Sequence, residues 1–329
     1  MREKDCIMKK NVWILLDNRI GSRHQAEGVA HYLDTTKFNI IEKEIEYNKW
    51  SALPNFLRGR TLIGTTEKTK QELKNSFPEI VISSSRRTAP IARWIKKQSP
   101  QTKLFQLLHI GKTGIKDFSL LFVPEHDKHK FKSDNIIYTI GSPHFITDEK
   151  LATAKQEWDE QFSHLPKPIT ALIIGGSIKK HPFSLENAKQ LALATKELKE
   201  KEGGSLLITT SRRTGLEAQN IIMTILKDIP NYAYLWGNEG KNPYLGFLAC
   251  ADNLIVTGDS VSMCCEATAT QKPLRIFTGT SWLTNKHLNF VQSLYKNNIA
   301  QDIFSKEQPT VYKQKLNIAK EIADKISSL

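Results

Sequence analysis

The chain has 329 residues, more than one hydrophobic core usually supports, so two domains are expected. Hydrophobic residues make up 40% and charged residues 25%, values typical of globular proteins that argue against disorder or a fibrous repeat. The formal net charge is +13, with basic clusters at residues 58–60, 86–87, 96–97 and 128–132. Such a surface suits phosphates, nucleic acid or anionic lipid headgroups, and an ordinary solvated lysine-rich surface explains it equally well.

Three further features of the sequence bear on compartment and metal content. No apolar run approaches the roughly 18 to 20 residues of a membrane-spanning helix, and the charged N-terminus lacks the apolar stretch of a secretory signal. Cys6, Cys250, Cys264 and Cys265 form no C-x-x-C pair, which fits a reducing compartment. No Asp-x-Asp pair or metal-binding histidine spacing occurs, so no metal site is predicted. We expect a cytoplasmic protein, free or peripheral on the inner face of the membrane.

In the first half, short aliphatic runs alternate with helical patterns, which predicts a parallel sheet covered by helices. The predicted strands are residues 12–16, 80–83, 103–108, 120–123 and 135–139. The helical spacing of Ala26, Val29 and Leu33 predicts a helix directly after the first strand. Pro166 and Pro168 indicate an extended connector. We expect an N-terminal domain at 1–165, a C-terminal domain at 166–300 and a C-terminal helical segment at 301–329.

The second half has the rhythm of a Rossmann-like domain. Its predicted strands are residues 169–174, 205–209, 232–235, 254–257 and 274–277. Its predicted helices are 185–198, 216–229, one starting at Pro243, 262–270 and a last one at 309–326. No internal repeat is evident along the chain. The fold class expected is therefore α/β, with two Rossmann-like domains and a C-terminal helix.

Loops at the carboxyl ends of parallel strands are where such sheets bind ligands. Loop 175–177 (Gly-Gly-Ser) permits close backbone approach, and a plain tight turn explains it equally well. Loop 209–215 holds four hydroxyls and two guanidiniums at a helix start, which favours a diphosphate over a solvated cap. In loop 257–263, Ser260 or Ser262 caps a helix and can donate to phosphate.

Glu266, one turn into that last helix, can accept both hydroxyls of a ribose, and the alternative is an exposed acid after an ordinary N-cap. The sequence thus predicts a nucleotide-diphosphate site in the C-terminal half. The predicted ligand-binding residues are Gly175, Gly176, Ser177, Thr210, Ser211, Arg212, Arg213, Asp259, Ser260, Ser262 and Glu266.

General-base candidates lie in the N-terminal half, in polar loops after strands. Histidine is favoured because its unperturbed pKa is about 6.5. The predicted catalytic residues are His24, His126 and Asp127, with His109 as a further candidate. The N-terminal half has three such loops, at 17–25, 83–88 and 124–127. None of them is specific on its own, since strand-to-helix loops are generally polar.

Taken together, the motifs resemble the mitochondrial-fission ELM (elongated mitochondria) family in a bacterial form. The resemblance spans essentially the whole chain, and its most specific segments are 210–214 (Thr-Ser-Arg-Arg-Thr) and 259–263 (Asp-Ser-Val-Ser-Met). The other matching segments are 17–25, 85–90, 124–127, 141–144, 175–176 and the rest of 257–267. His24 departs from the asparagine expected before Gln25, and Gln271 from the glycine expected before Lys-Pro.

The resemblance implies a GT-B fold, in which two Rossmann-like domains face a cleft, similar to the enzyme that adds N-acetylglucosamine to the lipid-linked peptidoglycan precursor. It places Glu266 near ribose, Ser260 and Gly176 near the diphosphate, and loop 17–25 near the acceptor. Plant members of the family are associated with mitochondrial fission, which is an adaptor role. Both an enzyme and an adaptor are therefore implied.

The leading hypothesis is a metal-independent glycosyltransferase with a nucleotide-diphosphate sugar as co-substrate and no other cofactor. Its acceptor belongs to the cell envelope and is lipid-linked or presented by an anionic membrane. The alternative is a non-catalytic adaptor of the same fold that binds a protein partner or a membrane surface. Nucleic acid is not expected as a partner, because no aromatic-basic recognition motif accompanies the charge. The sequence leaves the sugar, the base and the oligomeric state open.

Overall fold

The computed structural model describes residues 9–74, 76–128, 132–307 and 316–329. Cys6, residues 129–131 of the basic cluster and residues 309–315 of the predicted last helix lie outside the described residues. The chain divides into two compact units, which we call the first unit (Met1–Phe145 with Asn317–Leu329) and the second unit (Ile146–Leu316). This division lies about 20 residues before the predicted boundary at 165, because the helix that follows Ile146 belongs to the second unit.

The first unit contains one six-stranded parallel sheet. Its strands are β1 (Lys10–Leu16), β2 (Phe38–Glu44), β3 (Ile80–Ser83), β4 (Lys103–Leu107), β5 (Leu120–Pro124) and β6 (Ile136–Thr139), in the order β2-β1-β3-β4-β5-β6. Its helices before Phe145 are α1 (Ile20–His31), α2 (Asn55–Arg58), α3 (Glu67–Glu72) and α4 (Ala89–Gln98). The central strands are buried on both faces, as their continuous aliphatic runs predict.

The second unit contains a second six-stranded parallel sheet. Its strands are β7 (Ile169–Ile174), β8 (Ser205–Thr210), β9 (Asn231–Tyr234), β10 (Asn253–Thr257), β11 (Leu274–Phe277) and β12 (Gln301–Asp302), in the order β12-β11-β10-β7-β8-β9. Its helices are α5 (Asp148–Phe162), α6 (Leu185–Glu202), α7 (Leu216–Leu226), α8 (Tyr244–Cys250), α9 (Val261–Thr268) and α10 (Asn285–Lys296). The predicted α/β class with two parallel sheets is confirmed.

The last helix, α11 (Ile318–Ser327), belongs to the first unit and packs against α1. Its apolar stripe, Ile318, Ala319, Ile322, Ala323 and Ile326, is buried. The predicted docking of the C-terminal segment as a helix is therefore correct for its described part. The chain thus returns to the first unit after it has formed the second one. Hydrophobic periodicity alone does not show to which unit this helix belongs.

Two of the elements that the sequence analysis did not delimit have a mostly polar surface. β2 has alternating exposed polar residues because it lies at the edge of its sheet. α5 buries only Ala154, Trp158 and Phe162, and Phe162 packs edge-on against Phe247 of α8 at 5.6 Å between ring centroids. Three apolar residues spaced by four form too sparse a stripe to define a helix of this length from the sequence.

One glycine of α1 sets how closely this helix approaches the rest of its unit. A Cβ at Gly28 would lie 2.1 Å from the carbonyl oxygen of His144 and 2.7 Å from its carbonyl carbon, both of them backbone atoms. Gly21, on the same helix, has no atom within 4 Å of its Cβ position. Glycine is therefore required by packing at position 28 and not at position 21.

We expect Gly28→Ala to lower the free energy of unfolding by about 1 to 3 kcal/mol, because helix and backbone must separate to admit the methyl group. Gly21→Ala is the matched control and should be neutral or stabilising by up to about 1 kcal/mol, since alanine is the better helix former. Urea unfolding followed by circular dichroism measures both. Equal midpoints for Gly28→Ala and the wild type would contradict the close contact.

Candidate functional site

Three polar loops of the second unit meet at the carboxyl edge of its sheet. They follow β10, β7 and β8, which are adjacent in the sheet, so their ends lie side by side. Hydrogen bonds join the loops directly. The Ser177 amide donates to the Arg213 carbonyl at 2.9 Å, and the Ser211 hydroxyl donates to the Gly175 carbonyl at 2.6 Å. The structure thus brings together the loops that the sequence predicted as one site.

The centre of this edge is a buried ion pair. Asp259, which is 4% exposed, accepts the Gly176 amide at 2.8 Å and the Nη2 of Arg213 at 2.9 Å on the same Oδ2. A Cβ at Gly175 would lie 2.2 Å from that oxygen, so the carboxylate reaches across β7 only because residue 175 has no side chain. Burial raises the pKa of Asp259, and the charge of Arg213 opposes that rise.

Two donors that the sequence assigned to a diphosphate are therefore engaged within the protein. The Gly176 amide and Arg213 both bind Asp259, and Arg213 also donates to the Ser177 carbonyl at 3.0 Å. Asp259 itself was predicted to contact the ligand, and the structure places it as the internal partner of the loops. Arg212 is exposed and is the guanidinium most open to an anion at this edge.

Most hydroxyls of loop 209–215 hold the loop's own shape. The Ser211 amide donates to Thr214 Oγ1 at 3.0 Å, and the Arg213 amide donates to Ser211 Oγ at 3.2 Å. Thr210 Oγ1 donates to Gln219 and accepts the Trp236 amide at 2.8 Å. The predicted abundance of hydroxyls is thus explained largely by a rigid turn that fixes both arginines.

Glu266 is buried, and no cation lies beside it among the residues that the structure describes. It is 8% exposed, and its carboxylate accepts the Tyr244 hydroxyl at 2.6 Å and the Ser262 hydroxyl at 3.3 Å. Burial raises the pKa of Glu266, and burial together with the neighbouring Glu266 charge raises the pKa of Tyr244. Ser260 caps the same helix by accepting the Met263 amide at 3.4 Å, as predicted for this serine. The exposed acid considered as the alternative for Glu266 is wrong, because this acid is buried.

The predicted catalytic residues lie in the first unit at two separate places. His24 is on α1, with its ring 3.8 Å from that of Phe145 between centroids. His126 and Asp127 share one 3₁₀ turn after β5, with Nε2 and Oδ2 3.9 Å apart. β1, which precedes His24, is separated from β5 by β3 and β4, or about 14 Å at usual strand spacing. The structure pairs His126 with Asp127 and leaves His24 in a different loop region.

The sequence contains a short repeat that was not predicted. The tetrapeptide Ser-Arg-Arg-Thr occurs at 85–88 after β3 and again at 211–214 after β8. In both copies the second arginine pairs with a buried aspartate, and Arg87 Nη2 lies 2.9 Å from Asp17 Oδ1. Searching the sequence for identical tetrapeptides would have found it, whereas periodicity in hydrophobicity does not.

The described ranges contain neither a membrane-spanning helix nor a cluster suited to a metal. No helix in these ranges is long and apolar enough to cross a membrane. Within the same ranges, no three His, Cys, Asp or Glu side chains are grouped so that they could hold a metal ion.

We expect Arg213→Gln to destabilise the protein by about 1 to 3 kcal/mol, because it leaves the Asp259 carboxylate buried without its cation. Arg212→Gln is the matched control on the neighbouring exposed arginine, with an expected change below about 0.5 kcal/mol. Chemical denaturation of both variants makes the comparison. The double variant Arg213→Gln/Asp259→Asn should recover part of the lost stability, and the absence of any recovery would argue against this ion pair as the cause.

We expect Glu266→Gln to stabilise the protein at neutral pH by about 1 to 2 kcal/mol, because the amide removes a buried charge and keeps both hydroxyl partners. The folded-state pKa of Glu266 lies above its ordinary value of 4.5, so the wild type gains stability as pH falls through the raised pKa and stops gaining below about 4.5. The advantage of the variant should shrink over the same window. Thermal melts between pH 4 and pH 8 test this, and a constant difference would contradict it.

Solved structures similar to this chain share its fold at low sequence identity. MurG of Acinetobacter baumannii matches with a TM-score of 0.54 and 12% identity over 97% of this chain and all of that chain (100%). A Listeria monocytogenes protein assigned as a UDP-N-acetylglucosamine 2-epimerase matches with a TM-score of 0.61 and 12% identity, covering 97% and 95% of the two chains. The Neisseria meningitidis UDP-GlcNAc 2-epimerase, bound to UDP-GlcNAc, matches at 0.53 and 13% over 97% and 98%. The fold is of the GT-B type.

Sequence relatives extend the comparison. An uncharacterized protein of Rickettsia prowazekii (strain Madrid E) is 30% identical over 95% of this chain and 97% of its own length. The mitochondrial fission protein ELM1 of Arabidopsis thaliana is 27% identical over 72% of this chain and 60% of its own length. The family profile described as Mitochondrial fission ELM1 matches residues 20–329, and the chain therefore belongs to the Mitochondrial fission ELM1 family.

Proposed function

We propose that this chain is a GT-B-type glycosyltransferase whose second unit binds a nucleotide-diphosphate sugar. The observation that carries the proposal is Glu266, a buried carboxylate with two hydroxyl partners and no cation among the described residues. Such a group costs stability, so its presence indicates a ligand-binding role. A carboxylate that already accepts two hydroxyl donors matches the two hydroxyls of a ribose, which would replace or extend the contacts of Tyr244 and Ser262.

The diphosphate part of the donor would lie at the joined loops of the same edge. Arg212 is exposed, Arg213 is partly exposed beside Asp259, and the N-terminus of α9 begins at Val261. Guanidiniums and helix N-termini both favour oxyanions, and they stabilise the charge that a departing diphosphate develops. In the proposed reaction the acceptor oxygen forms a bond to the anomeric carbon, and the bond from that carbon to the diphosphate breaks with its electron pair on the diphosphate. No metal is needed for this charge balance.

The proton of the acceptor hydroxyl requires a base, for which His24, His126 and Asp127 of the first unit remain the predicted candidates. His126 and Asp127 lie within one turn, with the carboxylate 3.9 Å from the imidazole Nε2. Replacing each residue in turn is the experiment that separates them, once a donor is known.

The proposed acceptor is a cell-envelope molecule, lipid-linked or presented at an anionic membrane. Segment 49–63 of the first unit supports this, because four large apolar residues in it are exposed: Trp50 (48%), Phe56 (66%), Leu57 (60%) and Ile63 (47%). Lys49, whose Nζ lies 5.6 Å from the Trp50 ring centroid, and the exposed Arg60 add positive charge to the same segment. Apolar side chains flanked by cations suit the headgroup region of an anionic bilayer.

A second candidate function is an adaptor of the same fold without turnover. The specific observation in its favour is that Asp259 occupies the Gly176 amide and Arg213, two of the donors expected to receive a diphosphate. An adaptor would keep this ion pair as a purely structural link between loops. Ligand binding separates the two candidates.

We expect the wild-type protein to bind a nucleotide-diphosphate sugar in isothermal titration calorimetry, with UDP-N-acetylglucosamine as the first donor to test and free UDP as its comparison. Glu266→Gln should weaken binding about tenfold or more, because it loses a charge-assisted acceptor for the ribose while the fold is retained. Arg212→Gln should weaken binding of diphosphate-bearing ligands and leave a nucleoside unaffected. An absence of binding to a panel of nucleotide sugars at about millimolar concentration would favour the adaptor.

We expect the protein to float with vesicles that contain an anionic phospholipid and to remain in solution with vesicles of phosphatidylcholine alone. Phe56→Ser/Leu57→Ser should reduce flotation at least about threefold, because burial of these side chains in the headgroup region supplies part of the binding free energy. The control is Leu193→Ser, which removes a similarly exposed side chain (46%) from α6 of the second unit. Equal flotation of the two variants would exclude segment 49–63 as the membrane contact.

A further inference from the structure

The Ser-Arg-Arg-Thr turn of the first unit has the same internal hydrogen bonds as its copy in the second unit. The Ser85 amide donates to Thr88 Oγ1 at 3.1 Å, and the Arg87 amide donates to Ser85 Oγ at 3.1 Å. Asp17 closes the turn by accepting the Ser85 hydroxyl at 2.5 Å and Arg87 Nη2 at 2.9 Å. The turn is therefore a rigid element that directs two consecutive arginines, as it does in the second unit.

What differs in the first unit is the surplus of positive charge around the turn. Arg58, the last residue of α2, is 1% exposed and lies directly under the turn, with Nη2 donating to the Arg87 carbonyl at 3.0 Å. The Arg87 guanidinium stacks on the Tyr47 ring at 3.8 Å. Arg58, Arg86 and Arg87 thus accompany the single carboxylate of Asp17, a surplus of two positive charges, whereas Arg212 and Arg213 accompany Asp259 in the second unit, a surplus of one. Burial lowers the pKa of Arg58, and the charges of Arg87 and Arg86 lower it further.

The same cluster contains buried polar atoms that the protein does not satisfy. Arg58 Nε, Arg87 Nε and the Ser84 hydroxyl are each buried and have no hydrogen-bond partner among the described residues. Arg58 and Ser84 are almost completely inaccessible, at 1% and 0% exposure. A buried donor without a partner costs about 1 to 3 kcal/mol, and more when it is charged. Several such donors beside a surplus of two positive charges indicate an anion that is needed to complete the site.

We propose that the turn 84–88 together with Arg58 forms an oxyanion-binding site in the first unit, and that it takes a phosphoryl group. A phosphoryl group offers several acceptor oxygens and up to two negative charges, which matches both the unpaired donors and the charge surplus. The exposed Arg86 is the entrance to this site, because its guanidinium is open to solvent at the surface of the turn. The site is distinct from the proposed donor site and stands whether or not that donor site binds a nucleotide.

The experiment is arginine-specific labelling with phenylglyoxal, read out residue by residue by mass spectrometry of the full chain after digestion, with inorganic pyrophosphate as the probe. Pyrophosphate at about ten times its dissociation constant should slow labelling of Arg86 about tenfold, since only about a tenth of the sites stay empty. Arg60, which pairs with Asp117 and is half exposed, is the internal control and should label at an unchanged rate. Protection of Arg86 with unchanged Arg60 is the expected result.

The same digest reports on the donor site through Arg212, so the two proposals fail separately. If pyrophosphate protects Arg212 and leaves Arg86 unprotected, the oxyanion site of the first unit is overturned and the proposed function stands. If Arg86 is protected and Arg212 is not, the site inferred here stands and the diphosphate assignment in the second unit fails.

Two variants tie protection to the cluster. Arg58→Met removes the buried charge while keeping an apolar stem of similar length. It should raise the pyrophosphate concentration that half-protects Arg86 about tenfold or more. Arg58→Lys keeps the charge and should retain much of the protection, so a loss that reflects folding alone would appear in both variants. Circular dichroism and melting temperatures of the two proteins are measured beside the labelling. Full protection of Arg86 in Arg58→Met would overturn the role of Arg58 in the site.

The phosphoryl group could come from a soluble molecule or from a lipid headgroup, and a second arm distinguishes these sources. Vesicles of phosphatidylcholine with phosphatidic acid are compared with vesicles of phosphatidylcholine alone, at matched lipid concentration. Protection of Arg86 by phosphatidic acid vesicles as well as by pyrophosphate assigns the site to a lipid phosphate. Protection by pyrophosphate alone assigns it to a soluble phosphate, and protection by neither overturns the proposal.

Discussion

The pairing of Asp259 with Arg213 across the Gly175-Gly176 dipeptide is the constraint on which the carboxyl edge of the second unit depends. One carboxylate oxygen receives an amide from the loop after β7 and a guanidinium from the loop after β8, while Asp259 itself follows β10. Three strands are thereby joined at their ends through one buried atom. A side chain at Gly175 would occupy the position of that carboxylate, so glycine is needed there for the internal contact with Asp259.

In the first unit, an equivalent ion pair joins the loops that follow two neighbouring strands. Asp17 and the Ser-Arg-Arg-Thr turn follow neighbouring strands, β1 and β3, so the pair of Asp17 and Arg87 forms without a glycine bridge. The charges are then balanced differently. Arg58 beneath this turn gives the first unit one more positive charge than the second unit has at its turn. Two copies of one turn therefore provide two chemically different edges, and the difference arises outside the tetrapeptide itself.

The sequence predicted every strand of the two sheets except β2 and β12, because buried parallel strands are continuous aliphatic runs and polar loops follow them. It located Glu266 and Ser260 correctly on one helix, since an N-cap and a residue one turn later have fixed spacing. It could not reveal that Arg213 and Gly176 bind Asp259, because that contact joins residues 83 apart in the case of Gly176 and depends on side-chain reach. Arg58 was noted only as part of a basic cluster, and Tyr47 was not noted, because neither residue follows a predicted strand.

Glu266 shows how stability and binding oppose each other at such an edge. Within the part of the chain that the structure describes, its carboxylate has two hydroxyl partners and no cation, so burial disfavours its ionisation. A cationic side chain beside Glu266 would raise the stability of the free protein. It would also compete with hydroxyl ligands for the two carboxylate oxygens. Tyr244 and Ser262 instead donate neutral hydrogen bonds, and each carboxylate oxygen keeps a further lone pair that can accept another hydroxyl. In the proposed function, a diol is therefore the ligand that uses both carboxylate oxygens of Glu266.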